Sequence, residues 1–485
     1  MTFETLPKKS LSLPAMAKFL FKRLLLFIPT LLVVSVLTFF LSKSAPGDPV
    51  EKAIELDDMT LDTDNYRSLY QQTAENMGLD KPVFYLQITT AAFPDSLRKI
   101  YPKSQQKTLT NLIEQYGNWP AISKYYHLII DIEHRFNALP DSIINAQKSK
   151  IKPNIKQLYL QSREKSIRYH LGVLQQNIES TPILFQVLGA KFEALKDTYQ
   201  EILNTPTNIR RWLPKIYWHG TNNQYHNWLI NILKGNLGTS LVDGRPVSAK
   251  IMDALRWTLL LNGIAIFLAY GIAITLGIFT AVRKNSRWDR WTTYLLFMLH
   301  SLPNFWIAIL LIVFFTNPEF GMDWFPAYGL GDIPFHASYW QIVKIRAAHL
   351  ILPIICITFP ALAFISRQMR GAMINVLEKD YIRTAKAKGV PRKKIILKHA
   401  FRNALFPIIT LFASILPAAI SGSIVIEHIF SIPGMGRLMI KSINQQDWPV
   451  VFGILILASI LTIIGLLIAD LLYAWADPRV KLDKK

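Results

Sequence analysis

Hydrophobic and polar positions divide this chain into two regimes. Six long apolar runs stand at about 19–42, 258–282, 292–315, 349–370, 403–426 and 449–473, five of them in the C-terminal half. A helix of about 20 residues crosses a hydrocarbon core of roughly 30 Å, so each run predicts a transmembrane helix. The stretch 43–250 is polar and carries charges of both signs. Ile122, Tyr125, Tyr126, Ile129, Ile132 and Phe136 recur there near helical spacing, as do Leu158, Leu160, Ile167, Leu171, Leu174 and Ile178 within 157–179. Strand-like alternation is scarce. The expected fold class is all-α: a polytopic membrane protein with six transmembrane helices, and a helical domain of about 90–220 inserted between the first and second spans. The expected order is a tail at 1–18, the first helix at 19–42, an exterior region at 43–257 and a membrane domain at 258–482. Val247 to Trp257 reads as an amphipathic lead-in to the second span, and an inner loop occupies 371–402.

Charge supplies the orientation. Lys and Arg collect on the cytoplasmic side of short loops. With the N-terminus inside, the inner pieces 1–23, 283–290, 367–402 and 474–485 hold 24 Lys and Arg against 6 Asp and Glu, whereas 43–257 holds 26 against 21. Both termini are therefore expected in the cytoplasm. The first run continues unbroken from Phe21 to Leu41, longer than a cleaved signal peptide needs, so it reads as a retained span. The isoelectric point near 9.8 would suit nucleic acid binding, but the excess charge follows the spans, and no nucleic acid partner is expected. The single cysteine, Cys356, lies within the fourth span and excludes an intrachain disulfide framework.

The span interiors hold few charges, which argues against an ion-coupled carrier, because such carriers need intramembrane carboxylates. His300 and Asn304 flank Pro303 in the third span; the group is either a proline-loosened helix or a lining of the pathway. Pro353, Pro360, Pro407 and Pro417 are positioned to bend the fourth and fifth spans. The phosphate-cradling loop G-x-x-x-x-G-K-[S/T] is absent, as are paired metal-ligating histidines and a nucleophile elbow. No catalytic residue, metal site or cofactor is expected in this chain.

The distinctive stretch runs from Tyr381 through Gly389 to Pro407. Residues 378–388 favour a helix on which Tyr381, Ala385 and Gly389 share one face. Gly389 is placed to end that helix, and Pro391 suits the first turn of a second one, expected over about 391–402. The product is a bent, cationic helix pair. Taken alone, these residues fit a protein-docking surface or a basic loop resting on anionic lipid.

The sequence Tyr381-Ile-Arg-Thr-Ala-Lys-Ala-Lys-Gly389, followed by His399-Ala-Phe-Arg-Asn-Ala404, resembles the coupling loop of ABC importer permeases in its dipeptide/oligopeptide/nickel form. The general importer pattern begins Glu-Ala-Ala and ends Leu-Pro; here Arg383-Thr384-Ala385 replaces the first, and the second is missing. Ala45-Pro-Gly-Asp-Pro49, Gly78-Leu-Asp-Lys-Pro82, Gly235-Asn-Leu-Gly-Thr-Ser240 with Arg245-Pro-Val247, and Ile426 to Leu438 resemble further landmarks of that family, in order. The second and third landmarks normally lie close together, and here roughly 130 extra residues separate them, so the resemblance implies that the exterior helical region is an insertion.

The resemblance implies a B-type permease in the cytoplasmic membrane of a bacterium, transporting di- or oligopeptides, with nickel or another small solute as the alternative cargo. It implies a C-type sister permease, two ATPase subunits carrying ATP and magnesium, and an exterior substrate-binding protein. Tyr381, Arg383, Ala385, Gly389, Arg392, His399 and Arg402 would form the ATPase-coupling loop. Glu427, Phe430, Pro433, Gly434 and Gly436 would form an exterior gate or binding-protein contact, or simply a capping turn. His300, Pro303 and Asn304 are the possible pathway residues. A membrane scaffold or receptor, relaying a signal through the same basic loop, is the competing function.

Overall fold

The computed structural model describes residues 13–55 and 63–476. The ends of the expected tail and of the membrane domain, 1–12 and 477–482, lie outside the described residues. Two compact units result: Gly47–Lys234, and the flanking chain on either side of it. The first run forms α1 (Leu13–Ser44), in which the apolar stretch Phe21–Ser44 is long enough to cross a membrane.

The middle unit contains α2 (Pro49–Glu55), α3 (Thr63–Asn76), β1 (Leu86–Thr90), α4 (Lys103–Tyr116), α5 (Trp119–Asn137), α6 (Asp141–Leu160), α7 (Glu164–Glu179), α8 (Pro182–Asn204), α9 (Asn208–Trp212), β2 (Pro214–Trp218) and α10 (Gln224–Leu233). The six periodic positions of α5 are all buried, in one core with Leu109, Leu112, Ile167, Leu171, Leu174, Leu188 and Phe192. The expected segment 157–179 is two helices, because α6 ends at Leu160, which is exposed, and Gln161 is extended. The two short strands pair antiparallel, from Leu86 opposite Trp218 to Thr90 opposite Pro214. Five residues each give little alternation, so composition did not reveal them.

The flanking unit continues with α11 (Val247–Val282), α12 (Arg287–Ser301), α13 (Asn304–Thr316), α14 (Tyr339–Leu377), α15 (Asp380–Ala387), α16 (Arg392–Lys394), a π-helical turn (Ile395–Ala400), α17 (Phe401–Ser421), α18 (Ile424–Ile429), α19 (Met435–Asn444) and α20 (Trp448–Ala476). Among the described residues, five helices are long and apolar enough to span a membrane. The third run departs from the expected single helix: α12 and α13 meet at 99°. Leu302 is extended there and Pro303 caps α13, so proline breaks the span rather than loosening it. By contrast, α14 runs unbroken through Pro353 and Pro360, with its start fixed by a Ser338–Gln341 capping box.

Three further boundaries differ from the sequence reading. The lead-in Val247–Trp257 is continuous with the second span, because no breaker separates Trp257 from Thr258. Gly235–Trp257 packs with the membrane-spanning unit. The fifth span stops at Ser421, where Gly422 leaves helical geometry, so Ile424–Ile426 belong to a separate short helix. Finally, Asp470 on α20 is ion-paired with Arg23 on α1, Nε to Oδ2 at 3.2 Å.

The Gly235–Val247 landmark has a structural reason. Ser240 Oγ donates to the buried carboxylate of Asp447, which also accepts from the Leu241 N–H at 3.0 Å and pairs with Lys250 at 3.4 Å. The turn that opens α11 is thereby fastened to the residue that precedes α20.

Candidate functional site

The end of α14, α15 and the start of α17 make one elbow. Asp380 in the first turn of α15 complements the helix dipole. Ile382 is fully buried against a core that includes Met369, Met373, Ile395 and Ala404. That anchor fixes which face of α15 turns outward. Tyr381 and Arg383 are exposed, whereas Ala385 is half-buried against the same core. Of the predicted face, Tyr381 and Gly389 therefore stand open and Ala385 supports them.

Gly389 adopts φ +72°, a left-handed conformation that suits glycine, and a side chain there would meet open space within 4 Å. The helix ends as expected, with the Val390 N–H donating to the Ala385 carbonyl at 3.2 Å. The return limb is not a separate helix over 391–402. It starts at Arg392, widens into the π-helical turn and flows into α17, so His399 and Arg402 lie on the stem of the fifth span. Asn403 Nδ2 donates to the Tyr381 hydroxyl at 3.1 Å and to the His399 carbonyl at 2.9 Å, which ties the two limbs. Arg392 donates to the Val282 carbonyl at 3.4 Å, and a cavity of about 380 Å³ lies among Val282, Leu377, Lys386, Val390 and Ile396. Arg402 is exposed and His399 half-buried.

Two ion pairs missed by the sequence reading brace the elbow's surroundings. Arg370 on α14 holds Asp289 on α12 with two parallel hydrogen bonds of 2.7 Å. The Asp289 side chain is 4% exposed, and it also accepts from the Asn285 N–H at 2.9 Å. Lys284 meets Glu378 at 2.8 Å on the surface. The only sequence signal was an acid placed for an N-terminal turn after Ser286.

The second predicted group forms a buried knot. The Glu427 carboxylate accepts from Thr258 Oγ1 at 2.8 Å and from the Gly436 N–H at 2.7 Å; the Thr258 hydroxyl in turn accepts from the Met435 N–H at 2.8 Å. Burial pushes the Glu427 carboxyl above the ordinary carboxylate range, against the pull of these donors. A Cβ at Gly436 would strike the Ile424 backbone, so α18 and α19 approach this closely only over glycine. Phe430 and Gly434 are buried as well, leaving Pro433 as the exposed member. Direct contact with an outside partner is therefore closed to four of the five in this chain, and Thr258 is the partner that sequence reasoning did not find.

The third group sits at the α12–α13 break. His300, Pro303 and Asn304 are all exposed there.

The family profile described as "Binding-protein-dependent transport system inner membrane component" matches residues 273–482. The chain is 39% identical over 259 residues to the oligopeptide transport system permease protein AppB of Bacillus subtilis, covering 53% of this chain and 80% of that protein. It is 38% identical over 266 residues to the dipeptide transport system permease protein DppB of Bacillus subtilis, covering 54% and 80%. It is 35% identical over 257 residues to the peptidoglycan transport system permease protein YejB of Agrobacterium fabrum, covering 53% and 70%.

Proposed function

We propose, from the premise that this chain belongs to the ABC importer permeases of the binding-protein-dependent inner membrane component family, that it is the B-type subunit of a peptide importer. It is a multi-pass transport subunit. In this reading it forms half of a translocation pathway for di- or oligopeptides in a bacterial cytoplasmic membrane, with both termini inside. Its partners are a C-type sister permease, two ATPases that carry ATP and magnesium, and a substrate-binding protein outside. The peptide assignment rests on what the relatives are named for.

The observation that carries the coupling role is the elbow. Ile382 and Ile395 lock it into the ends of the spans, while Tyr381 and Gly389 stay open. A motor closing on that surface transmits only the difference between its affinities for the two span arrangements, so a rigid joint transmits it best. Arg383, Arg392 and Arg402 form the charged rim. The Glu427 knot, with Phe430, Pro433, Gly434 and Gly436, belongs to the exterior gate and fixes α18 and α19 to α11. His300, Pro303 and Asn304 line the pathway at the broken span.

Purification from native membranes in mild detergent should bring down an ATPase and a sister permease. Recovery of neither would favour the scaffold or receptor. In the reconstituted complex, Gly389→Leu should leave insertion and assembly intact while uncoupling ATP hydrolysis from uptake of a labelled dipeptide. Uptake at the unaltered level would overturn the coupling assignment. Uptake of nickel, with no dipeptide uptake, would move the cargo to the alternative.

A further inference from the structure

The middle unit carries an apolar surface that the importer reading leaves without a task. Residues directly opposite each other in an antiparallel pair point to the same side. Leu86, Ile88, Ile216 and Trp218 therefore share one face of the β1–β2 sheet. The other face is polar: Gln87, Thr89, Lys215 and Tyr217 lie on it, and Tyr217 donates to the Phe93 carbonyl and stacks on His219. On the open face Ile88 is 72% and Trp218 74% exposed. Helix α9 abuts this sheet through the Ala92 N–H, which donates to the Arg210 carbonyl at 3.1 Å, and adds Ile209 and Trp212, the latter 82% exposed. Burying these large side chains would release the apolar surface they now hold in water, which favours a covering surface.

The charge pattern says which. From Asn204 to His219 there are three basic residues, Arg210, Arg211 and Lys215, and no acidic one; 82–94 holds no charge at all. Lys215 lies on the reverse face, over the Tyr217 ring; tryptophan beside isoleucine, with Arg210 and Arg211 on the adjoining α9, is the composition that settles at a bilayer interface under anionic headgroups. The unit is also joined at both ends to helices long enough to span a membrane, α1 ending at Ser44 and α11 beginning at Val247. Lipid is thus present at high effective concentration, so even a shallow, weak contact is populated.

We propose that the β1–β2 face with α9 is a monotopic lipid-docking site, seating the inserted unit on anionic phospholipid. This requires only that the neighbouring helices span the membrane, and holds whatever the transported cargo.

The test uses the full-length chain in vesicles of phosphatidylcholine with phosphatidylglycerol. Single cysteines replace Ile88, Trp212 or Trp218, each carrying an environment-sensitive fluorophore; Tyr169→Cys, exposed on α7 of the same unit, is the control, and buried Cys356 gives the blank. The expected result is blue-shifted emission, quenched by brominated lipid, at positions 88, 212 and 218 but not at 169. The shift should weaken when phosphatidylglycerol is omitted, and weaken likewise in labelled Ile88→Cys carrying Arg210→Glu and Arg211→Glu. Quenching equal to the control at all three sites would overturn the proposal. So would shielding that appears only when the sister permease or binding protein is added, since that marks a protein interface.

Discussion

At the residue scale, the most consequential side chain is Glu427, a carboxylate with 0% exposure beside a threonine and three glycines, Gly422, Gly434 and Gly436. Its sequence neighbours suggested a turn; nothing in the linear order pointed to Thr258, which lies 169 positions away. The raised carboxyl titration has a definite sign. The folded state holds this proton more tightly than the unfolded chain does. The group's contribution is therefore complete below the ordinary carboxylate range and is lost as pH rises through the elevated value. Acidifying from neutrality through that window should raise the melting temperature of the wild type relative to Glu427→Gln, measured on the purified protein. Glu427→Leu should lose about 2–4 kcal/mol at any pH, since it strands the Thr258 hydroxyl and the Gly436 N–H in a buried site. A melting difference between wild type and Glu427→Gln that does not change with pH would refute the titration argument.

At the element scale, periodicity and composition carried the helices well. Four of the six apolar runs became single helices, the third split into α12 and α13 and the fifth ended at Ser421, and the buried positions of α5 match its spacing. Boundaries were less legible for physical reasons. Apolar content does not register the extended Leu302 that lets α12 and α13 diverge, because proline inside a span is as often accommodated, as Pro353 and Pro360 are in α14. The π-helical turn at Ile395–Ala400 has no composition of its own, so the second limb of the elbow read as a separate helix. What secures the broken span is the Asp289–Arg370 pair between α12 and α14. Removing one partner leaves the other charge poorly solvated, whereas removing both does not. Arg370→Met should therefore destabilise by about 3 kcal/mol, and adding Asp289→Leu should restore much of the loss. A double-mutant cycle followed by thermal melting reads this directly, and simple additivity of the two changes would argue that the pair contributes nothing.

At the scale of the whole molecule, the chain is a permease with a second unit set into one of its connections. The landmark motifs pointed to the permease in the sequence, and their unusual separation was the ground for expecting an insertion; neither could say how the middle segment closes on itself. The strands answer that. The Tyr85 carbonyl accepts from the His219 N–H at 2.9 Å, and the ladder then runs from Leu86–Trp218 to Thr90–Pro214. The two ends of the segment 91–213 thus lie side by side within the middle unit, about 5 Å apart as in any antiparallel pair. A domain held on such a stem can be removed without separating the chain it interrupts. Replacing residues 91–213 by Asn-Gly, the turn that suits a two-residue hairpin, should therefore give a protein that still inserts and still co-purifies with its partners. Aggregation or failure to insert would mean the stem is not autonomous. Transport by this variant then separates two roles for the insertion. Normal capture and uptake would leave it as a spacer or lipid anchor, while assembly retained with delivery from the binding protein lost would make it a docking platform.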